Sequence, residues 1–177
     1  VIVGARDYSV GILGGNIQGG AFVYSGSSSG LSSSPSWSAI GTVGQGAFGA
    51  SVASAGDVNG DGYGDVIVGA SRQPLGGRAF VYLGSASGLA ASPVWSAQSD
   101  QGLSSFGYHV DSAGDVNGDG YSDVVVGALF YTNGQQNEGR AFVYHGSSSG
   151  LSTSAHWTAE GDQESAYFGL SGGSAGD

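Results

Sequence analysis

The run Ala55–Ala70 reads AGDVNGDGYGDVIVGA, and it returns 58 residues later, at Ala113–Ala128, as AGDVNGDGYSDVVVGA. Other landmarks keep the same register. Phe48-Gly49 is followed by Phe106-Gly107 and Phe168-Gly169, AFVY begins at Ala21, Ala79 and Ala141, and Trp37, Trp95 and Trp157 recur; each of these sets steps by 58 and then 62 residues. Self-similarity at a fixed period marks a repeat architecture in which each copy is one supersecondary unit. A unit of about 60 residues therefore occurs three times.

Within a unit the apolar residues form short runs bounded by Gly, Asn, Asp and Ser, with no helical stripe. The middle copy predicts strands at Phe48–Ala55, Asp65–Ala70, Arg78–Leu83 and around Trp95. VIVG and AFVY are continuously apolar, as strands covered on both faces should be. Four antiparallel strands per repeat make a propeller blade, so the expected class is all-β, a β-propeller of four-stranded antiparallel blades. Propellers have roughly 4–8 blades. About three are expected in this chain, as a segment of a larger propeller or as a chain that oligomerises to close the ring, for instance two copies making six blades. The expected layout of the 1–177 segment is a partial blade over 1–47 (strands two to four), complete blades over 48–105 and 106–167, and the first strand of a further blade over 168–177.

Composition removes several function classes. The 177 residues include 36 glycines, 3 prolines and no cysteine, so thiolate metal sites, disulfide scaffolds and cysteine nucleophiles are excluded. The formal charge of −10, with only 4 basic residues, repels a phosphate backbone and argues against nucleic acid as a partner. No apolar run reaches the roughly 20 residues of a membrane-spanning helix, so no membrane insertion is expected.

The chemistry concentrates in the loop between the first two strands of each unit, D-x-N-x-D-G-x-x-D. Asp57, Asn59, Asp61 and Asp65, with the carbonyl of Tyr63, offer an all-oxygen set; Asp115, Asn117, Asp119, Tyr121 and Asp123 repeat it, and Asp177 begins a third, truncated copy. Hard anionic oxygen sites favour calcium, and three carboxylates crowded together repel one another without a cation. Two complete Ca2+ sites of structural role are therefore expected. An EF-hand starts similarly but needs a bidentate glutamate at position 12 and flanking helices. The same residues can also form an Asn/Asp/Gly turn without an ion.

With these residues in family order, Phe48-Gly49, the acidic loop, Val68-Gly69-Ala70 and AFVY, the chain resembles the FG-GAP repeats of the integrin alpha-chain propeller and its bacterial relatives. The resemblance extends over nearly the whole chain. It implies an extracellular propeller of roughly seven blades, with calcium in the loops between strands one and two and a partner-binding face opposite. One departure is that the proline expected after Gly-Ala is Arg6, Ser71 and Leu129. Such repeats also occur beside enzyme domains, so the fold alone does not decide function.

Other motifs read as structure. Gly26–Gly30 and Gly146–Gly150 fit G-x-S-x-G, but a nucleophile elbow needs a strand leading into a helix, and the middle copy has Ala86 at the central position. His109, His145 and His156 fit no short metal-ligand spacing. The tryptophans suit cover between blades better than a sugar platform. No catalytic group is assigned, and the chain is read as no enzyme.

Alternating strand direction puts the loops after strands two and four on the face opposite the acidic loops. These loops diverge most among the copies, and function is grafted on such loops. The candidate partner-binding residues there are Arg6, Asp7, Tyr8, Arg72, Phe130, Tyr131, Asp162 and Glu164. The expected function is a calcium-stabilised adhesion or binding module, extracellular or on a cell surface, recognising a protein or glycan. The competing expectation is a purely structural module attached to an enzyme or adhesin domain.

Overall fold

The computed structural model describes residues 1–9, 17–42, 46–72 and 76–176. It is all-β, with no helix among the described residues and none long and apolar enough to cross a membrane. Two sheets have four strands in sequential antiparallel order. One comprises β6 (Phe48–Gly56), β7 (Asp65–Ala70), β8 (Arg78–Tyr82) and β9 (Trp95–Gln98); the other comprises β10 (Phe106–Gly114), β11 (Asp123–Ala128), β12 (Arg140–Tyr144) and β13 (Trp157–Glu160). Before them, β1 (Ile2–Ala5), β2 (Gly20–Val23) and β5 (Trp37–Ile40) form a three-stranded sheet, and β3 (Gly26–Ser27) pairs with β4 (Gly30–Leu31) in a small hairpin. Two four-stranded blades and a third sheet of the same kind make a propeller segment.

The core lies between the sheets. In β7, Val66 and Val68 belong to a cluster with Ala21 of the preceding sheet, whereas Ile67 belongs to a cluster with Val124, Val126 and Phe142 of the following one. Side chains alternate across a strand, so a strand packed on both faces must be apolar at every position. That is the physical meaning of VIVG. The inner strands β7, β8, β11 and β12 are accordingly the most buried.

Three repeated contacts join neighbouring blades. Gly4, Gly69 and Gly127 each lie against the main-chain carbonyl of Gly49, Gly107 and Gly169 in the next unit, so closely that a Cβ would collide with it. The Gly of Phe-Gly and the Gly of Gly-Ala are two sides of one backbone approach. Parallel bridges Gly19–Phe48, Gly77–Phe106 and Gly139–Phe168 lie beside it. Trp37 Nε1 donates to the carbonyl of Ala90 at 2.9 Å and Trp95 Nε1 to that of Ser152 at 2.8 Å, each ring meeting a tyrosine of the next blade, Tyr82 or Tyr144, edge-on. Such aromatic pairs add about 0.5–1.5 kcal/mol each beyond buried area.

Two expectations change. Residues 168–176 form no strand; Phe168 bridges Gly139 and its N–H donates to the carbonyl of Glu138. In the complete blades the first strand is held by the second strand that follows it, and 168–176 have no such partner among the described residues. The hairpin Gly26–Leu31 was not expected, and its counterparts at 84–88 and 146–150 are turns.

Candidate functional site

Each acidic loop is organised by its own carboxylates. Asp57 Oδ1 accepts the N–H of Gly60 (2.7 Å) and Asp61 (3.1 Å), and Oδ2 accepts that of Gly62 (2.8 Å). Asn59 Oδ1 accepts from Asp61 N, and Asp61 Oδ1 accepts from Tyr63 N. Gly60 and Gly62 sit at φ of 71° and 87°, a region that costs other residues strain. The second loop repeats this pattern: Asp115 accepts from Asp119 N and Gly120 N, Asn117 from Asp119 N, and Asp119 from Tyr121 N. All these atoms are hard oxygens, a donor set that fits calcium.

The last aspartate of each loop is buried and joins two turns. Asp65 Oδ2 accepts from Val58 N and Oδ1 from Gly84 N, both at 2.8 Å; Asp123 does the same with Val116 N (2.9 Å) and Gly146 N (2.8 Å). Burial pushes the Asp65 carboxyl above its ordinary pKa, reinforced by the charges of Asp61 and Asp57 and opposed by the two amides. The first loop also leans on the next blade. Ser122 Oγ accepts from Asp57 N, Ser147 N donates to the carbonyl of Val58, and the Tyr121 ring covers Gly60. Asp177, assigned to a third copy, lies outside the described residues.

The opposite face carries the divergent loops, of which 10–16 and 73–75 lie outside the described residues. Arg6 and Asp7 are exposed and paired at 3.2 Å, Tyr8 stands edge-on to Phe22, and Arg72, Asp162 and Glu164 are exposed. Phe130, 40% exposed, meets Tyr167.

Tyr131 corrects the expectation of a free contact residue. It is 6% exposed, packs on Phe142, and its hydroxyl accepts from Arg140 Nη1 at 2.9 Å. The residue after Phe130 turns inward because the loop folds back there, Tyr131 N donating to the carbonyl of Ala128 and Gly139 N to that of Tyr131. Position in a divergent loop does not by itself mean exposure.

Sequence reasoning also missed an acidic group on this face. One carboxylate oxygen from each of Glu138, Glu160 and Asp162 lies within 4.8 Å of the others, and among the described residues this is the one such cluster of three. Only Asp162 carried a sequence signal, and that was for partner contact. Glu138 and Glu160 lie 22 positions apart and meet only because β12 and β13 pair, Arg140 opposite Glu160.

The model of the FG-GAP repeat matches residues 48–83 and 106–144, each spanning the first three strands of a four-stranded blade. The chain is 36% identical over 126 residues to integrin alpha-7 of Rattus norvegicus, covering 66% of this chain and 10% of that protein. It is 32% identical over 121 residues to integrin alpha-3 of Cricetulus griseus (66% and 11%) and 32% identical over 120 residues to integrin alpha-6 of Gallus gallus (63% and 10%). The chain thus spans about a tenth of the length of these relatives. The first three strands of each complete blade, the Gly69–Gly107 contact between the blades and both acidic loops fall within the matched regions, and residues 48–83 and 106–144 are FG-GAP repeats of a β-propeller.

Proposed function

We propose that this chain is a calcium-stabilised propeller module for adhesion or binding, outside the cell or at its surface, which holds a protein or glycan on the face opposite the acidic loops. The observation that carries the reading is an asymmetry between the two faces. One presents the same oxygen-rich loop twice, with the same Asp and Asn oxygens accepting the same backbone N–H groups at three positions, while the other presents loops that differ in length and chemistry, Ser71–Gly76 against Leu129–Glu138. A repeated face suits a structural role and a divergent face suits recognition. Similarity to integrin alpha chains supports the adhesive reading.

In this reading Asp57, Asn59, Asp61, Asp65 and the carbonyl of Tyr63 hold one calcium ion, and Asp115, Asn117, Asp119, Asp123 and the carbonyl of Tyr121 hold the second. The ions tie the β6–β7 and β10–β11 connections and leave the other face free. Arg6, Asp7, Tyr8, Arg72, Phe130, Asp162 and Glu164 are the contact residues that remain exposed there. No group of the chain is assigned a catalytic step.

The test is retention of ligands by the chain in millimolar calcium, on a glycan array and on intact cells, compared with Tyr8→Ala, Arg72→Ala and Phe130→Ala. Retention weakened by these substitutions at unchanged melting temperature supports the binding module. No retention above background leaves the purely structural module as the better account.

A further inference from the structure

On the divergent face of the second complete blade, Glu138 is fully buried two residues before the start of β12. Its Oε1 accepts the N–H of Asn133, while its Oε2 has no hydrogen-bond partner. A buried carboxylate with an unpaired oxygen is strongly unfavourable unless a cation compensates it. Arg140 is the nearby cation, but its Nε faces Glu160 Oε1 at 3.2 Å, and its Nη1 and Nη2 donate to Tyr131 and Thr158. Three carboxylates against one guanidinium leave two negative charges in the cluster of Glu138, Glu160 and Asp162.

The preceding blade shows that the scaffold does not require this charge. Sixty-two residues earlier the corresponding positions are Gly76, Gln98 and Asp100. There Arg78 Nη2 donates to Gln98 Oε1 at 2.6 Å, so a neutral amide satisfies the equivalent arginine. The second blade keeps the arginine and adds two acids, one of them wholly desolvated.

We propose that Glu138, Glu160 and Asp162 form a divalent-cation site, separate from the acidic loops and on the opposite face. Three carboxylate oxygens are hard donors suited to calcium, and the exposure of Asp162 leaves coordination positions open to water. The ion fastens segment 129–139 to segment 160–168, which already run together through Ser165 N to the carbonyl of Gln136 (2.8 Å), Phe168 N to that of Glu138 (2.8 Å), and Asn133 Nδ2 to Glu160 Oε2 (3.0 Å). A cation there sets the shape of the two loops nearest Phe130.

The test is equilibrium dialysis of the whole chain against calcium at about 5 mM, above the roughly millimolar dissociation constants of weak extracellular sites. Bound ions per chain are counted for the parent, Glu138→Gln, Asp162→Asn and Asp119→Ala. Glu138→Gln is expected to bind one ion fewer than the parent, and Asp162→Asn to weaken one site by about tenfold or more. Asp119→Ala is expected to lose a different ion, so that its combination with Glu138→Gln loses both. If Glu138→Gln fails to fold by circular dichroism, the exposed Asp162→Asn decides. An isotherm for Asp162→Asn identical to the parent, or an unchanged count for folded Glu138→Gln, overturns the site. A parent that binds one ion, lost in Glu138→Gln and kept in Asp119→Ala, retains this site and removes calcium from the acidic loops.

Discussion

Tyr131 contributes in two separable parts, a ring packed on Phe142 and a hydroxyl accepting from Arg140. Tyr131→Phe keeps the ring and is expected to cost about 1 kcal/mol, whereas Tyr131→Ala opens a cavity and should cost about 3–5 kcal/mol, both read from urea unfolding. Asp119→Ala removes the acceptor for Tyr121 N and a carboxylate of the second loop. A ligand present at about 100 times its dissociation constant stabilises the folded state by about 2.7 kcal/mol. Calcium should therefore raise the melting temperature of the parent, and raise it by less in Asp119→Ala. Equal melting temperatures in saturating calcium would count against a structural ion in that loop. Tyr82 and Tyr144 make a further test, because burial pushes both phenols up to about 12, with the charge of Asp100 adding to the effect at Tyr144 and Arg140 opposing it. A raised phenol pKa leaves stability intact below pH 10 and removes it as pH rises from 10 through 12, by at most about 3 kcal/mol per residue. Absorbance titration should show these two ionising only with unfolding.

The characteristic element contact is the backbone approach of Gly69 to Gly107 and of Gly127 to Gly169. Gly69→Ala places a methyl group against a main-chain carbonyl that β10 holds in position. The blades must then separate slightly, at an expected cost of about 1–3 kcal/mol, measured by denaturant unfolding. Gly64→Ala is the control, since a Cβ there meets open space. The same contact explains why Gly-Ala and Phe-Gly recur in step; the Phe-Gly glycine also sits at positive φ, 78° at Gly107, where the β10–β11 register shifts.

For the molecule as a whole, the informative surface is the outer face of the second complete blade. Trp37 and Trp95 are bonded to the next blade, but Trp157 is 51% exposed. It lines a groove of about 470 Å³ with Val125, Val143 and Phe168. By the pattern of the two earlier tryptophans, that face fits a blade offering a tyrosine edge and a carbonyl. Light scattering in millimolar calcium discriminates: a mass near twice 17.4 kDa, with Trp157 shielded from a soluble fluorescence quencher, would place a second copy of this chain on that face. A mass of one chain with Trp157 freely quenched would exclude self-assembly through this face.

Periodicity alone determined the all-β class and the recurrence of the oxygen-rich loops, because a repeat must present the same turn chemistry and the same buried strand in every copy. β7 was read to the residue, since Gly64 and Ser71 bracket an uninterrupted apolar run behind Asp65. Tertiary structure decided what depends on neighbours remote in sequence. It turned Tyr131 inward onto Phe142 and made Asp65 and Asp123 latches between two turns. It also brought Glu138 and Glu160 together across the β12–β13 pairing. Spacing records what a segment does with itself; burial and charge balance are set by what packs against it, and those partners come from other blades and other loops.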